Sequence, residues 1–353
     1  MTRGSVAPAV AGRIQREAVP GTVAAALAEQ SEHESMSCAH AARMRGEPLA
    51  ASAVRFSRFL LLEVPGPWGN SALDGKHIEG AAARQLAKTA AAAGAHVMLI
   101  RRPGRHPAAG QGAERRSMAW ALADAAPGTE RVLWGSWREP ADLLELDLAA
   151  EISPTAQAVG PQRLALVCTN GKRDQCCAIH GRPVAQAIAA TGWDTWECSH
   201  LGGHRFAATI LLLPTGDMFG WLDPRSAVEV VRQFDAGQLV LSHYRGRAGT
   251  PEPVQAALHA AAVRLGDFRR DAVQVSSASP VPAPSAAGWP AHLAAAEVDM
   301  WQVEITHEPE HGPAVDYRMM LIGDQLAPAF LSCHDNSPKA EIRYTALSFS
   351  RRQ

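Results

Sequence analysis

The chain has 353 residues, 47% of them hydrophobic, enough apolar material to fill the cores of two ordinary domains. Thirty-four Lys and Arg against 35 Asp and Glu leave a formal net charge of −1, which excludes the strongly basic balance of a nucleic-acid or anionic-membrane binder. The longest apolar runs, such as Phe59-Leu60-Leu61-Leu62 and Ile210-Leu211-Leu212-Leu213, fall far short of a bilayer span, so no membrane partner is expected.

In chain order, residues 1–35 read as a flexible Ala- and Gly-rich tail, in which Arg13, Arg16 and Glu17 interrupt any apolar core of a secretory signal. The cytoplasm is therefore the expected compartment. Residues 36–160 read as an α/β unit: a buried strand at 56–64, a turn at Pro65-Gly66-Pro67-Trp68-Gly69, a helix over 78–93, a strand at 96–100, and further apolar segments at 117–123 and 131–137. Residues 161–270 repeat that order. A strand at 163–167 precedes a helix over 173–190, an extended stretch at 193–196 and a strand at 207–213. The segment 219–222 pairs with that strand across Thr215-Gly216-Asp217, and helices over 226–236 and 253–265 follow. Such an order predicts an α/β fold of thioredoxin-like units, two in tandem. Residues 271–353 form a linker, Pro/Ser/Ala-rich over 276–290, and a β-rich extension with a hairpin of 301–306 and 317–322.

Six cysteines are too few for a disulfide scaffold, and Cys168, Cys176, Cys177 and Cys198 crowd into one stretch, which points to metal or redox chemistry. Cys38 and Cys333 stand apart and read as small buried hydrophobes. Cys168 ends a strand, and the next pair, Cys176-Cys177, opens a helix whose N-terminal amides favour thiolate; spacing alone does not decide which of the two is the ligand. His200 and His204, with three residues between them, can aim both imidazoles at one centre from a helical turn or from a loop bent at Gly202-Gly203.

The motifs Cys-Thr-Asn-Gly-Lys-Arg-Asp-Gln-Cys-Cys at 168–177 and His-Leu-Gly-Gly-His-Arg-Phe-Ala at 200–207 resemble those of the sucrase/ferredoxin-like proteins. Weaker echoes at Cys38, Gly66-Pro67-Trp68-Gly69 and Tyr244-Arg245-Gly246-Arg247 extend the resemblance over about residues 36–266. It implies a thioredoxin-like ferredoxin carrying a two-iron, two-sulfur (2Fe-2S) cluster on Cys168, Cys177, His200 and His204. The sucrose cleavage in the family name finds no residues to support it. Two neutral imidazoles in place of two thiolates remove negative charge from the cluster and ease its reduction. Histidine-ligated Rieske centres lie at about −150 to +300 mV against about −400 mV for plant-type ferredoxins. The imidazoles also couple reduction to protonation.

The expected function is electron transfer or redox sensing, as a carrier rather than a stand-alone enzyme, with a reductase or an electron acceptor as partner. A zinc protein using the same donors is the main alternative, although Cys-x8-Cys is more open than structural zinc spacing. Thiol–disulfide exchange through Cys176 and Cys177 is a third reading, weakened by the lack of Cys-x-x-Cys. Cys198 reads as a buried thiol, His180 as a surface residue, and Lys172, Arg173 and Arg205 as cations flanking the ligands. His307-Glu308-Pro309-Glu310-His311 matches a zinc-protease pattern, but its central proline breaks the helix that pattern needs.

Overall fold

The structure is a computed structural model describing residues 37–74, 77–104, 117–150, 152, 160–282 and 299–352. The tail expected over 1–35 lies outside the described residues. Strand β1 (Arg58–Glu63) is an unbroken apolar run because both of its faces are covered. Phe59 and Leu61 enter one core, and Leu60 and Leu62 enter the core on the opposite side. Helix α2 (Gly80–Ala92) leads to β2 (Ala95–Arg101), parallel to β1, while β3 (Met118–Asp124) runs antiparallel to β1 and β4 (Arg131–Trp137) antiparallel to β3.

The same order recurs downstream. Strand β5 (Leu164–Cys168), helix α3 (Gln175–Ala190) and β6 (Asp194–Cys198) form a parallel pair with its crossover. Strand β7 (Ile210–Leu213) pairs antiparallel with β5, and β8 (Asp217–Phe219) with β7. Strand β9 (Tyr244–Arg247) adds to β8 after helix α4 (Pro224–Asp235). The halves meet antiparallel at β2 and β6, giving one nine-stranded sheet ordered β4-β3-β1-β2-β6-β5-β7-β8-β9.

A separate four-stranded antiparallel sheet follows helix α5 (Glu252–Leu265). It comprises β10 (Val273–Val281), β11 (Asp299–His307), β12 (Val315–Gln325) and β13 (Ile342–Arg351). Ala257 and Ala261 of α5 pack against Val303, Ile305, Met319 and Leu321 of this sheet. The protein is thus a mixed α/β fold with a large and a small sheet.

Several expectations shift. The stretch expected as a linker starts as strand: residues 276–281 belong to β10, with Val275, Ala278 and Pro280 in register with β11, and residues 283–290 lie outside the described residues. Residues 207–209 do not join β7, because the chain is still leaving a 3-10 turn at His204–Phe206. The partner of β7 is 217–219 rather than 219–222. Helix α1 (Cys38–Met44) and strands β9, β10 and β13 had no clear sequence signal. The expected hairpin forms between β11 and β12; His307 closes β11, and residues 308–311 leave the sheet as an irregular loop.

Candidate metal centre

Strand β5 alternates its faces, so Leu164, Leu166 and Cys168 project to the same core. Beyond Cys168 the chain turns at Asn170, whose carbonyl accepts from the amides of Arg173 and Asp174. The Asn170 side chain accepts from the Lys172 amide at 3.1 Å and donates to the Gly69 carbonyl at 2.8 Å. That second bond ties the Gly66–Gly69 turn of the first half to the ligand loop. Asp174 then caps α3, accepting from the Cys176 amide at 2.9 Å. Successive helical residues point about 100° apart, so Cys176 and Cys177 face different neighbours.

Cys177 Sγ lies 3.2 Å from Nδ1 of His204. Cys168 shares a buried cluster with Cys177, and Cys177 and His200 are among the neighbours that lower its thiol pKa. The rings of His200 and His204 stack with centroids 4.7 Å apart and an interplanar angle of 27°. The four residues singled out in the sequence therefore lie in one neighbourhood, but of the four only Cys177 and His204, together with Asp174, have ligand atoms all within 4.8 Å of one another. Their histidines are brought together by the loop alternative: Gly202 and Gly203 take φ of +70° and +69°, and a 3-10 turn begins at His204. A Cβ on Gly203 would meet Arg245 Nη2 at 2.5 Å, so glycine also permits the close approach of Arg245, which donates to the Gly202 carbonyl at 3.2 Å.

The site is dry at its base and open at its mouth. Cys168 and Cys177 are each 1% exposed and His204 is 8% exposed, whereas His200 is half-buried. A cleft of about 500 Å³ above them is lined by Lys172, Arg173, His200, His204, Asp335 and Lys339, among others. Contact with Cys177, then with His200, holds the Cys168 thiol well below its usual range, while contact with Cys168 and burial push Cys177 well above. Burial also lowers the His204 pKa, keeping the imidazole neutral and available as a ligand.

Nδ1 of His200 is buried with no hydrogen-bond partner among the described residues. A buried nitrogen without a partner, beside two buried cysteines and a second imidazole, suits a metal ligand set. Ligand atoms of Asp174, Cys177 and His204 lie within 4.8 Å of one another, so this group could hold a metal ion. Asp174 was not anticipated, although Arg-Asp within the first motif marks it as the helix cap.

The flanking residues sort differently. Lys172 and Arg173 are exposed at the mouth, as expected, whereas Arg205 is buried and committed to ion pairs with Glu47, at 2.6 Å, and Glu341. Cys198 is fully buried on β6 beside Cys168, and His180 is exposed on α3. Cys38 is buried in a small apolar cluster, as expected, and Cys333 packs partly buried against it, but the two do not stand apart. Both sulfurs reach Cys176, with Cys38 Sγ at 3.6 Å and Cys333 Sγ at 3.4 Å.

No curated protein and no solved structure matches this chain. A model of the sucrase/ferredoxin-like family matches residues 49–246, more than half of the chain, spanning the Gly66–Gly69 turn, both ligand motifs and Arg245. The chain belongs to the sucrase/ferredoxin-like family.

Proposed function

We propose that Cys168, Cys177, His200 and His204 hold a 2Fe-2S cluster and that the protein passes single electrons or senses redox state through it. The observation that carries this reading is the convergence of two thiols and two imidazoles, with Cys177 Sγ 3.2 Å from His204 Nδ1 and His200 Nδ1 left without a partner. The cluster supplies one-electron chemistry. The chain supplies a dry floor under the cysteines, a half-buried His200 at the cleft, and Lys172 and Arg173 at its mouth, where a reductase or electron acceptor docks. Each half of the large sheet is a thioredoxin-like unit in this reading, supported by the matching orders β4-β3-β1-β2 and β8-β7-β5-β6.

A disulfide between Cys176 and Cys177 gains no support, because their sulfurs contact different partners. Electron paramagnetic resonance of the anaerobically reduced protein, with iron and acid-labile sulfide measured alongside, tests the proposal. A two-iron signal of low average g value is expected. Colourless protein carrying zinc at these residues would overturn it.

A further inference from the structure

The second face of the α3 N-terminus holds chemistry that the proposed cluster does not use. Cys38 opens α1, Asp174 and Cys176 open α3, and Cys333 lies in the loop between β12 and β13. Their ligand atoms all fall within 4.8 Å of one another. Cys176 Sγ is 3.6 Å from Cys38 Sγ and 3.4 Å from Cys333 Sγ, and Cys38 Sγ is 3.6 Å from Asp174 Oδ2. We propose that these four residues form a second metal site, separate from Cys168, Cys177, His200 and His204, holding one divalent cation of the zinc class on three thiolates and a carboxylate.

Three observations favour a single ion. The first is the odd number of thiols: a disulfide would pair two sulfurs and strand the third, whereas one tetrahedral ion uses all three. The second is spacing. Zinc–sulfur bonds of about 2.3 Å place tetrahedral sulfurs roughly 3.8 Å apart, close to the two separations here. A multi-iron cluster puts its cysteines on different irons and spreads their sulfurs further.

The third observation is charge. Asp174 is fully buried, and among the described residues it forms no ion pair. Its partners are the amides of Cys176 and Cys333 and the Ser332 hydroxyl, each at 2.9 Å. Those bonds fix the carboxylate's orientation, as outer partners of a ligating carboxylate do, and a cation would neutralise a charge that is otherwise expensive to bury. The Cys38 amide points at Cys333 Sγ, 3.4 Å away. Cys38 and Cys176 are fully buried, while Cys333 is partly exposed and leaves a path of entry. Each thiol gives its proton to water as its metal–sulfur bond forms, and no electron moves.

The test uses the full chain produced with zinc chloride in the medium, because zinc can be read without interference from iron. Elemental analysis should find one zinc per chain. Zinc-edge X-ray absorption should show three sulfurs at about 2.3 Å and one oxygen at about 2.0–2.2 Å. Cys333→Ser, in a partly exposed loop, should lose the zinc with an unchanged circular dichroism spectrum, and Cys168→Ser should retain it. If Cys333→Ser does not fold, alkylation of the wild type decides: Cys333 should resist iodoacetamide until a chelator is added. The proposal is overturned by zinc-free wild type, by zinc lost in Cys168→Ser but kept in Cys333→Ser, by a disulfide among the three cysteines, or by labelling of Cys333 without chelator. None of these outcomes depends on whether the 2Fe-2S cluster is present.

Discussion

Cys177 Sγ sits 3.2 Å from His204 Nδ1, although 26 residues, including the rest of α3 and the whole of β6, separate them in the chain. The contact joins a helix start to a glycine-bent loop, and both are held by the strand ends beneath them. If this pair ligates iron, exchanging the imidazole for a thiolate adds negative charge at the cluster. His204→Cys, or His200→Cys, should lower the reduction potential toward the plant-type value of about −400 mV and flatten its dependence on pH. Redox titration across a pH series measures both; an unchanged potential means the residue is not a ligand.

Gly181 lets α3 lie against the end of β5. A Cβ there would stand 2.1 Å from the Cys168 carbonyl oxygen, and a backbone atom has no side-chain freedom with which to retreat. Gly181→Ala should cost about 1–3 kcal/mol in urea unfolding and reduce bound iron, because the strain falls on the residue bearing a proposed ligand. Wild-type stability and iron content in this variant would rule out so close an approach.

Arg205 binds the second ligand motif to two distant parts of the chain, through Glu47 at 2.6 Å and Glu341 beside β13. Arg205→Met keeps the bulk and removes the charge. Glu47 retains Arg45, also at 2.6 Å, so the expected loss is about 1–3 kcal/mol. Protease cleavage around residue 341 should accelerate in the same variant. Equal stability and equal cleavage would show that these ion pairs contribute nothing.

Asp217 is buried and accepts a hydrogen bond from the Tyr244 hydroxyl at 2.8 Å, and burial raises its pKa above the ordinary 3.8. A carboxyl with a raised folded-state pKa contributes most below its unfolded value and loses that contribution as pH rises through the folded value. Asp217→Asn removes this slope. The stability difference, variant minus wild type, should therefore increase from about pH 4 upward until Asp217 is fully ionised, as followed by urea unfolding across pH. A constant difference would mean that Asp217 titrates normally.

Much of the large sheet was legible because strands such as β1 and β5 are apolar on both faces and end at turn residues. The four convergent residues were legible for a different reason: soft and borderline ligands crowd into two short motifs. Tyr244–Arg247 was legible as a motif but not as a strand, because a strand carrying two arginines lacks an apolar signature, yet burial of Arg245 against Gly202-Gly203 places that strand beside the site. Cys38 and Cys333 look alone in a linear sequence, and only the fold closes the 295-residue separation between them. The Ser/Pro-rich second half of β10 misled because composition marks flexibility, whereas pairing with β11 supplies the hydrogen bonds that make it a strand.

The junction of β2 and β6 is short: Ile100 faces Cys198 and Arg101 faces Glu197, aided by the Ser199 amide donating to the Leu99 carbonyl and by the Arg101–Glu197 ion pair at 2.7 Å. Along a sheet of nine strands this is a seam, thinner than the five-residue pairing of β5 with β6 on one side or the six-residue pairing of β1 with β2 on the other. Local opening follows such lines, so amide exchange at residues 99–101 and 197–199 reports how independently the two halves breathe. His200 follows the seam directly. Whatever holds the seam shut also holds still the imidazole at the mouth of the site.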